Sequence, residues 1–137
     1  ISLGTSDTVF LWLDSPKSSL FTMTLCNCVD EASFMGMICF KNGSLTRERV
    51  RNRCGCESSW DQFSDLLRRT HPGNDGNIGF YFDFPEILPN VQAGDYRYDA
   101  SDNQVETFPA EVEARAVLES QCLSKRLHVE SMGVQKC

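Results

Sequence analysis

The sequence predicts a single domain of the mixed α/β class, and three observations lead to this prediction. The chain has 137 residues, which is enough for one domain and not two. Its composition is that of an ordinary globular protein. Strand-like segments are followed by helical, strand-like and helical segments, an order typical of helices packed on a sheet.

The first thirteen residues predict a β-hairpin around which the rest of the chain is organised. A strand end at residues 1–3 is followed by a polar turn at residues 4–6 and a second strand. The unbroken apolar run from Val9 to Leu13 is typical of a strand buried on both faces. Gly4 allows backbone angles that other residues avoid, and Thr5 and Ser6 place hydroxyl and N–H groups at the tip. The turn is therefore either a plain hairpin or a concave anion-binding site.

Two further strands and a helix are predicted next. An extended segment at residues 20–27 and a strand at residues 34–40 are expected to complete a three-stranded antiparallel meander, with Gly36 as a bulge or a close-packing point. Ser44 is expected to cap a helix from Leu45 to about Arg53. Because this helix has few apolar residues, its arginines predict a solvated surface: Arg47, Arg49, Arg51 and Arg53.

The second half of the chain is predicted to contain two helices and one strand. Ser58 or Ser59 caps a helix over residues 60–69, in which Trp60, Phe63, Leu66 and Leu67 form an apolar stripe. An aromatic strand at residues 79–84 is stopped by Pro85 and Pro89. Residues 90–107 are polar and rich in turn-forming residues, so a loop is expected. The strongest helix spans residues 109–132 and is closed by Gly133; Ala114, Val117, Leu118 and Cys122 mark its apolar face, with Ala116, Leu123 and Leu127 beside it.

Charge and hydropathy exclude several classes of partner. The net charge is −6, from 13 basic and 19 acidic residues, which argues against nucleic acid or an anionic membrane surface. The apolar runs are far shorter than the roughly 20 residues of a membrane helix. No signal peptide is visible at the start. The abrupt opening without methionine predicts a segment of a longer protein, although a processed start would look the same.

The seven cysteines predict free thiols rather than a disulfide framework, because their number is odd. Two closely spaced pairs, Cys26 with Cys28 and Cys54 with Cys56, could together form a four-thiolate zinc site. Structural zinc sites usually separate paired ligands by two to four residues, so this alternative is the weaker one. Unpaired thiols are typical of a reducing cytosol.

The first block to consider is Ser2-Leu3-Gly4-Thr5-Ser6-Asp7-Thr8 followed by Phe10-Leu11-Trp12-Leu13. It is similar to the second phosphate-binding hairpin of the FGGY carbohydrate kinase family, and it most closely resembles the animal xylulokinase branch of that family. The resemblance continues in order through residues 39–45, 59–60, 76–83 and 108–116. Each block is weak alone, but five in the family's order cover most of the chain.

This resemblance implies a fold, a reaction and a set of nucleotide contacts. The fold is part of the C-terminal ribonuclease-H-like lobe of the actin-like ATPase fold. The reaction is transfer of the γ-phosphoryl group of ATP, with Mg²⁺, to D-xylulose, which gives D-xylulose 5-phosphate, in a cytoplasmic enzyme that is monomeric at full length. The implied ATP contacts are Gly4, Thr5, Gly43, Arg47 and Trp60, with Gly43 opening a helix beside the nucleotide and the indole of Trp60 suited to stacking on adenine.

The resemblance also implies that parts of the kinase are missing from this chain. The catalytic base and the sugar contacts belong before Ile1, and a Gly-Gly adenosine motif belongs after Cys137. Asp7 lies in the phosphate hairpin and does not match the base, so no catalytic residue is predicted here. The segment alone is therefore expected to be inactive. The competing prediction is a non-catalytic module, either a truncated interaction partner or a cysteine-rich metal-binding domain.

Overall fold

The computed structural model describes residues 1–17, 19–20, 22–86 and 90–134 and confirms a mixed α/β architecture. Within these residues, one sheet has the order β1-β2-β4-β3, formed by β1 (Ser2–Leu3), β2 (Asp7–Leu13), β3 (Met23–Cys26) and β4 (Phe34–Phe40). The second has the order β5-β6-β7, formed by β5 (Ile78–Phe82), β6 (Gly94–Tyr98) and β7 (Gln104–Val105). The α-helices are α1 (Ser44–Arg53), α2 (Trp60–Arg68) and α3 (Ala110–Ser131).

The opening hairpin is confirmed, but the prediction that β2 is buried on both faces is wrong. β1 and β2 pair antiparallel, with Leu3 opposite Asp7. Along β2 the burial alternates: Leu11 is 9% exposed, whereas Phe10 is 48% and Trp12 55% exposed. One face of the sheet packs on α3 through Met132 and Val129, while the described residues leave the other face open. An apolar run on that open face has the same sequence pattern as a doubly buried strand.

The three-stranded meander is also wrong, because β4 lies between β2 and β3. All seven residues of β2 pair with β4, and β3 pairs with the other edge of β4. Gly36 in β4 belongs to both regular registers, so it forms no bulge. A β-carbon at this position would lie 3.2 Å from side-chain atoms of Leu13 and Thr22, which makes Gly36 a close-packing point.

The helices are where the sequence predicts them, with a different cap on α1. Gly43 is the N-cap, no side chain caps this helix end, and Ser44 is already helical. The side chain of Ser59 accepts a hydrogen bond from the Gln62 nitrogen and caps α2 as expected. Gly133 follows α3 with a φ of 78°, as a closing glycine should.

The predicted loop at residues 90–107 contains strands β6 and β7. β6 pairs antiparallel with the aromatic strand β5, from Ile78 opposite Tyr98 to Phe82 opposite Gly94. The polar residues of β6 made the segment look like a loop. In the structure Asp95 and Arg97 form an ion pair instead of being solvated. β5 ends at Phe82, shortly before Pro85; Pro89 lies outside the described residues.

Two hydrophobic clusters meet along α3. One lies between the first sheet and the end of α3 and is formed by Val9, Leu11, Leu13, Ile38, Phe40 and Met132. The other joins α1, α2, β5 and the first half of α3 and includes Val50, Phe63, Leu66, Tyr81, Ala114 and Val117. The long helix thus connects the hairpin to the rest of the domain.

Candidate functional site

The turn of the opening hairpin is docked onto the first residues of α1. The backbone N–H of Ser44 donates to the carbonyl oxygen of Gly4 at 2.8 Å, and that of Gly43 donates to the carbonyl oxygen of Thr5 at 3.2 Å. A β-carbon on Gly43 would lie 2.5 Å from the Gly4 oxygen and 2.6 Å from the Thr5 oxygen. Only glycine fits here, and the backbone that approaches it is the chain's own turn.

The tip of this turn presents unused hydrogen-bond donors. Thr5 and Ser6 are exposed, and their hydroxyl groups make no hydrogen bond to any described residue. The carbonyl groups at Gly4 and Thr5 are fixed by the helix start, so the turn has one orientation relative to α1. A rigid turn with exposed hydroxyl groups at the positive end of a helix is chemically suited to an anion.

Directly after the turn, Asp7 is a completely buried carboxylate held by two cations. Its oxygens accept hydrogen bonds from Arg47 Nη1 at 2.7 Å and Nη2 at 3.1 Å, and Lys125 Nζ lies 2.7 Å from Oδ2. Burial alone raises the pKa of Asp7, but hydrogen bonds from Arg47 and Lys125 outweigh it and hold the pKa below its usual value. Asp7 is therefore a fixed negative charge.

The guanidinium of Arg47 links the hairpin to α3 as well. Its Nη1 also donates to Oε1 of Gln121 at 2.7 Å, and Gln121 Nε2 donates to the carbonyl oxygen of Asn42 at 2.9 Å. Arg47, which the sequence predicts as an ATP contact, thus points its charged group at Asp7 inside the protein.

Asn42 fixes the residue that precedes Gly43. Its carboxamide oxygen accepts hydrogen bonds from the backbone nitrogens of Asp83 and Phe84 at 2.8 and 3.1 Å, and its Nδ2 donates to Glu86 Oε2 at 2.9 Å. Glu86 also accepts from the Lys41 nitrogen at 2.9 Å. The end of β5 and the entry to α1 are therefore tied together by one buried amide.

The arginines of α1 are not a solvated surface, which corrects that prediction. Arg49 bonds Asp83 and pairs both guanidinium nitrogens with Asp95, while Arg53 bonds Asp95 and Glu113. These partners lie on β6, on α3 and after β5. Because they are distant in sequence, the residue pattern of α1 could not predict them. Because α1 has little amphipathic character, ion pairs rather than an apolar stripe hold most of its length.

Glu113 and Asp95 are the acidic centres of this network. Glu113 is 4% exposed, binds Arg97 through both oxygens and accepts a hydrogen bond from the hydroxyl group of Tyr81 at 3.0 Å. Burial, and then the charge of Glu113, raise the pKa of Tyr81. Burial also raises the pKa of Asp95, but hydrogen bonds from Arg49 and Arg53 prevail and lower it to about 2.

Trp60 lies at the first turn of α2 and is 46% exposed. The guanidinium of Arg51, which is 5% exposed, lies 4.2 Å from the centroid of its ring, and Phe63 contacts it edge to face. Arg51 is two turns after Gly43 in α1, which places this contact roughly 12 Å further along the helix axis. The structure therefore brings Gly4, Thr5, Gly43 and Arg47 together. Trp60, on α2, lies against a later part of α1.

The structure shows the state of the cysteines and the exposure of the α3 side chains, which the sequence left open. Six cysteines in the described part of the chain are free thiols, and no group of three His, Cys, Asp or Glu side chains there could hold a metal; Cys137 lies outside it.

Cys122, Leu123 and Leu127 are exposed rather than buried. Both leucines line a groove of about 870 Å³ between α3 and aromatic residues of β5 and β6. No described helix is both long and apolar enough to cross a bilayer.

Two solved xylulose kinases contain a part with the same architecture as this chain. The enzyme from Bifidobacterium adolescentis superposes with a TM-score of 0.76 at 24% identity, covering 99% of this chain and 27% of that one. The enzyme from Rhodospirillum rubrum gives 0.78 at 16% identity, covering 96% and 26%. The chain thus has the fold of one part of these sugar kinases, about a quarter of their length, as expected.

The sequence is similar to those of several xylulose kinases. It is 47% identical to the xylulose kinases of Rattus norvegicus and Mus musculus over 133 residues, which is 97% of this chain and 24% of theirs. Identity to xylulose kinase 2 of Arabidopsis thaliana is 43% over 145 residues, covering 98% and 26%. The chain therefore spans about a quarter of the length of these relatives. No family model matches it.

Proposed function

We propose that this chain supplies the phosphate-binding turn of a kinase that transfers the γ-phosphoryl group of ATP to D-xylulose and forms D-xylulose 5-phosphate. The observation that carries the proposal is the junction at Gly43, where the turn is fixed on α1 while the hydroxyl groups of Thr5 and Ser6 stay exposed. The 47% identity to rodent xylulose kinases supports the choice of reaction and sugar.

In this proposal the turn binds the phosphate groups of the nucleotide directly. Phosphoryl transfer depends mainly on positioning and charge neutralisation, and less on covalent chemistry by the protein. The exposed hydroxyl and N–H groups of Thr5 and Ser6 donate to phosphate oxygens, and Gly4 allows the close approach. The start of α1, with its partial positive charge, lies directly behind the turn. Gly43 contributes by letting the turn and the helix meet.

Trp60 is proposed to contact the adenine ring. One face of the indole is covered by Arg51, and the ring is still almost half exposed. An exposed indole on a rigid helix start is suited to stacking on a flat base. Arg47 is proposed to serve the nucleotide through the turn, because its guanidinium is already bonded to Asp7 and Gln121.

Magnesium and the sugar are proposed to be bound mainly by other parts of the kinase. Mg²⁺ prefers carboxylate oxygens and water together with substrate phosphates. Asp7 is the carboxylate next to the turn, but it is 0% exposed and paired with Arg47 and Lys125, so it does not suit the metal. The catalytic base and the sugar contacts are likewise assigned to the three quarters of the relatives that this chain does not match. We place this kinase in the cytoplasm as a monomer, and the exposed free thiols of Cys26 and Cys28 fit a reducing compartment.

A chimeric enzyme tests this proposal. In the rat xylulose kinase, the 133-residue matching segment is replaced by this chain, and ATP-dependent phosphorylation of D-xylulose is measured. Thr5→Ala in the chimera should raise KM for ATP or lower kcat, since one phosphate donor is lost. Thr107→Ala, at a second exposed threonine ahead of α3, is the matched control and should leave the kinetics unchanged.

Two outcomes contradict the proposal. The first is a chimera that folds with the melting temperature of the rat enzyme and phosphorylates no xylulose. The second is an active chimera in which Thr5→Ala and Thr107→Ala have the same kinetic constants as the unmutated chimera.

A further inference from the structure

Phosphate binding by the turn does not explain why the carboxylate of Asp7 is buried. Its side chain is 0% exposed, and a buried carboxylate is strongly destabilising unless it is paired. Replacing a buried ion pair by apolar residues is often neutral or stabilising, so a fully buried charge is a poor source of stability. The burial of Asp7 is better explained by a role in fixing the arrangement of the neighbouring elements.

The two partners of Asp7 come from two different helices. Arg47 lies on α1 and approaches with two guanidinium nitrogens, at 2.7 and 3.1 Å. Lys125 lies near the end of α3, with its Nζ 2.7 Å from Oδ2. A two-point guanidinium contact fixes the orientation of a carboxylate, whereas an ammonium group acts as a point charge. Asp7 thus joins the hairpin, α1 and α3 at one point.

The same carboxylate lies against the junction at Gly43. A β-carbon on Gly43 would be 2.9 Å from Asp7 Oδ1, in addition to its close approach to the oxygens of Gly4 and Thr5. The turn, the carboxylate and the helix start are therefore packed in mutual contact. Asp7 therefore packs against the residue on which the turn docks.

Two cations, Arg47 and Lys125, face the single carboxylate of Asp7 close behind the turn. The positive end of the α1 dipole lies there as well. Both features favour an anion at the tip of the turn, and Asp7 holds the two cations in place.

We propose that Asp7 is a positioning residue for the nucleotide phosphates: it holds the turn at Thr5 in its binding orientation through Arg47 and Lys125 and does not itself contact the nucleotide. This inference rests on the proposed function. It predicts that a change at Asp7 affects the use of ATP and leaves the binding of the sugar unaltered, because the sugar contacts lie elsewhere.

The test compares Asp7→Asn with Asp14→Asn in the chimeric kinase. Asparagine keeps the shape of Asp7 and removes its charge, so the ion pairs with Arg47 and Lys125 are lost and the turn is held less firmly. Small misplacements of a binding group can lower rates by about 100-fold, and we expect kcat/KM for ATP to fall by at least about 10-fold, with KM for D-xylulose unchanged. Asp14 is an exposed carboxylate just after the same strand, and Asp14→Asn should keep both constants.

A second variant covers the case in which Asp7→Asn does not fold. Arg47→Lys keeps the charge and loses the two-point contact, so KM for ATP should rise several-fold while the melting temperature changes little. If the unmutated chimera is active and both variants keep its kcat/KM for ATP, the positioning role is wrong and the proposed function stands. Equal losses toward ATP and xylulose, in proportion to the folded fraction, would show a merely structural role. An inactive but folded chimera contradicts both proposals.

Discussion

The backbone nitrogen of Ser44 and the carbonyl oxygen of Gly4 are 2.8 Å apart, although the two residues belong to different elements of the fold. This hydrogen bond, with that from Gly43 to Thr5, places a polar turn at the start of a helix. It depends on the missing side chain of Gly43, because no β-carbon fits between the helix and the turn.

Gly43→Ala should therefore destabilise the protein. A β-carbon would overlap two backbone oxygens that cannot move independently of α1, and overpacking of this kind costs about 1–3 kcal/mol. The free energy of unfolding, measured by urea denaturation, checks this. Ser44→Ala is the control: Ser44 is the first helical residue and not the N-cap, and a change within about 0.5 kcal/mol is expected. Equal effects of the two substitutions would contradict the close contact.

Glu113→Gln should be among the most destabilising conservative changes in the chain. Glu113 is buried against Arg97, Arg53 and Tyr81, and removing one partner of a buried charge pair costs about 3–5 kcal/mol. Glu111→Gln, two residues earlier on the same helix, removes only a favourable interaction with the helix dipole, worth less than about 1 kcal/mol. Similar unfolding midpoints for the two variants would show that the Glu113 network contributes little.

The stability of the protein should fall between about pH 4 and pH 2, in part because of Asp95. Its pKa is lowered from 3.8 to about 2 in the folded state, so the unfolded state binds the proton more readily. The stabilisation is complete above the unfolded pKa and is lost as the pH falls through the folded one. It should be of order 1–2 kcal/mol.

Urea denaturation across this pH range measures the effect, with Asp95→Asn expected to flatten the pH dependence. Asp65→Asn is the control, because Asp65 pairs with Arg68 on the surface, with side chains 61% and 74% exposed. Exposed pairs of this type contribute about 0.2–1 kcal/mol, so this variant should keep most of the acid dependence. An unchanged slope in Asp95→Asn would contradict the ion pairs of Arg49 and Arg53.

Neighbouring residues of β2 should respond differently to substitution. Leu11 lies in the core against α3, and Leu11→Ala should cost about 2–5 kcal/mol. Phe10 is half exposed on the opposite face, so Phe10→Thr, which introduces a β-branched side chain suited to a strand, should cost less than about 1 kcal/mol. Thermal unfolding of the two variants measures the difference. If Phe10→Thr were the more damaging, the face of the sheet assigned here as open would have to be buried.

Much of the fold could be predicted from the sequence because the signals were local. The hairpin turn at Gly4, the cap at Ser59 and the closing glycine at Gly133 each act within a few residues of their position. The failures share the opposite cause. Which strand lies between β2 and β3, and which face of β2 is covered, depends on pairing between distant segments.

The residues of the candidate site also divide into those with a local signal in the sequence and those without one. Gly4, Thr5 and Gly43 could be singled out because glycines and hydroxyl residues at a turn and a helix start have a recognisable pattern. Asp7 could not, because its importance comes from Arg47 and Lys125, which the fold brings from two helices. The available signal was a charged residue at the first position of an otherwise apolar strand.

Hydrogen–deuterium exchange of the chimeric kinase, with and without a non-hydrolysable ATP analogue and Mg²⁺, tests the central claim most directly. If the turn at Thr5 binds the nucleotide phosphates, peptides covering residues 1–13 and 41–50 should exchange more slowly when the analogue is bound, and Thr5→Ala should weaken this protection. Bound analogue with unchanged exchange in both peptides would contradict the claim that this chain supplies the phosphate-binding turn.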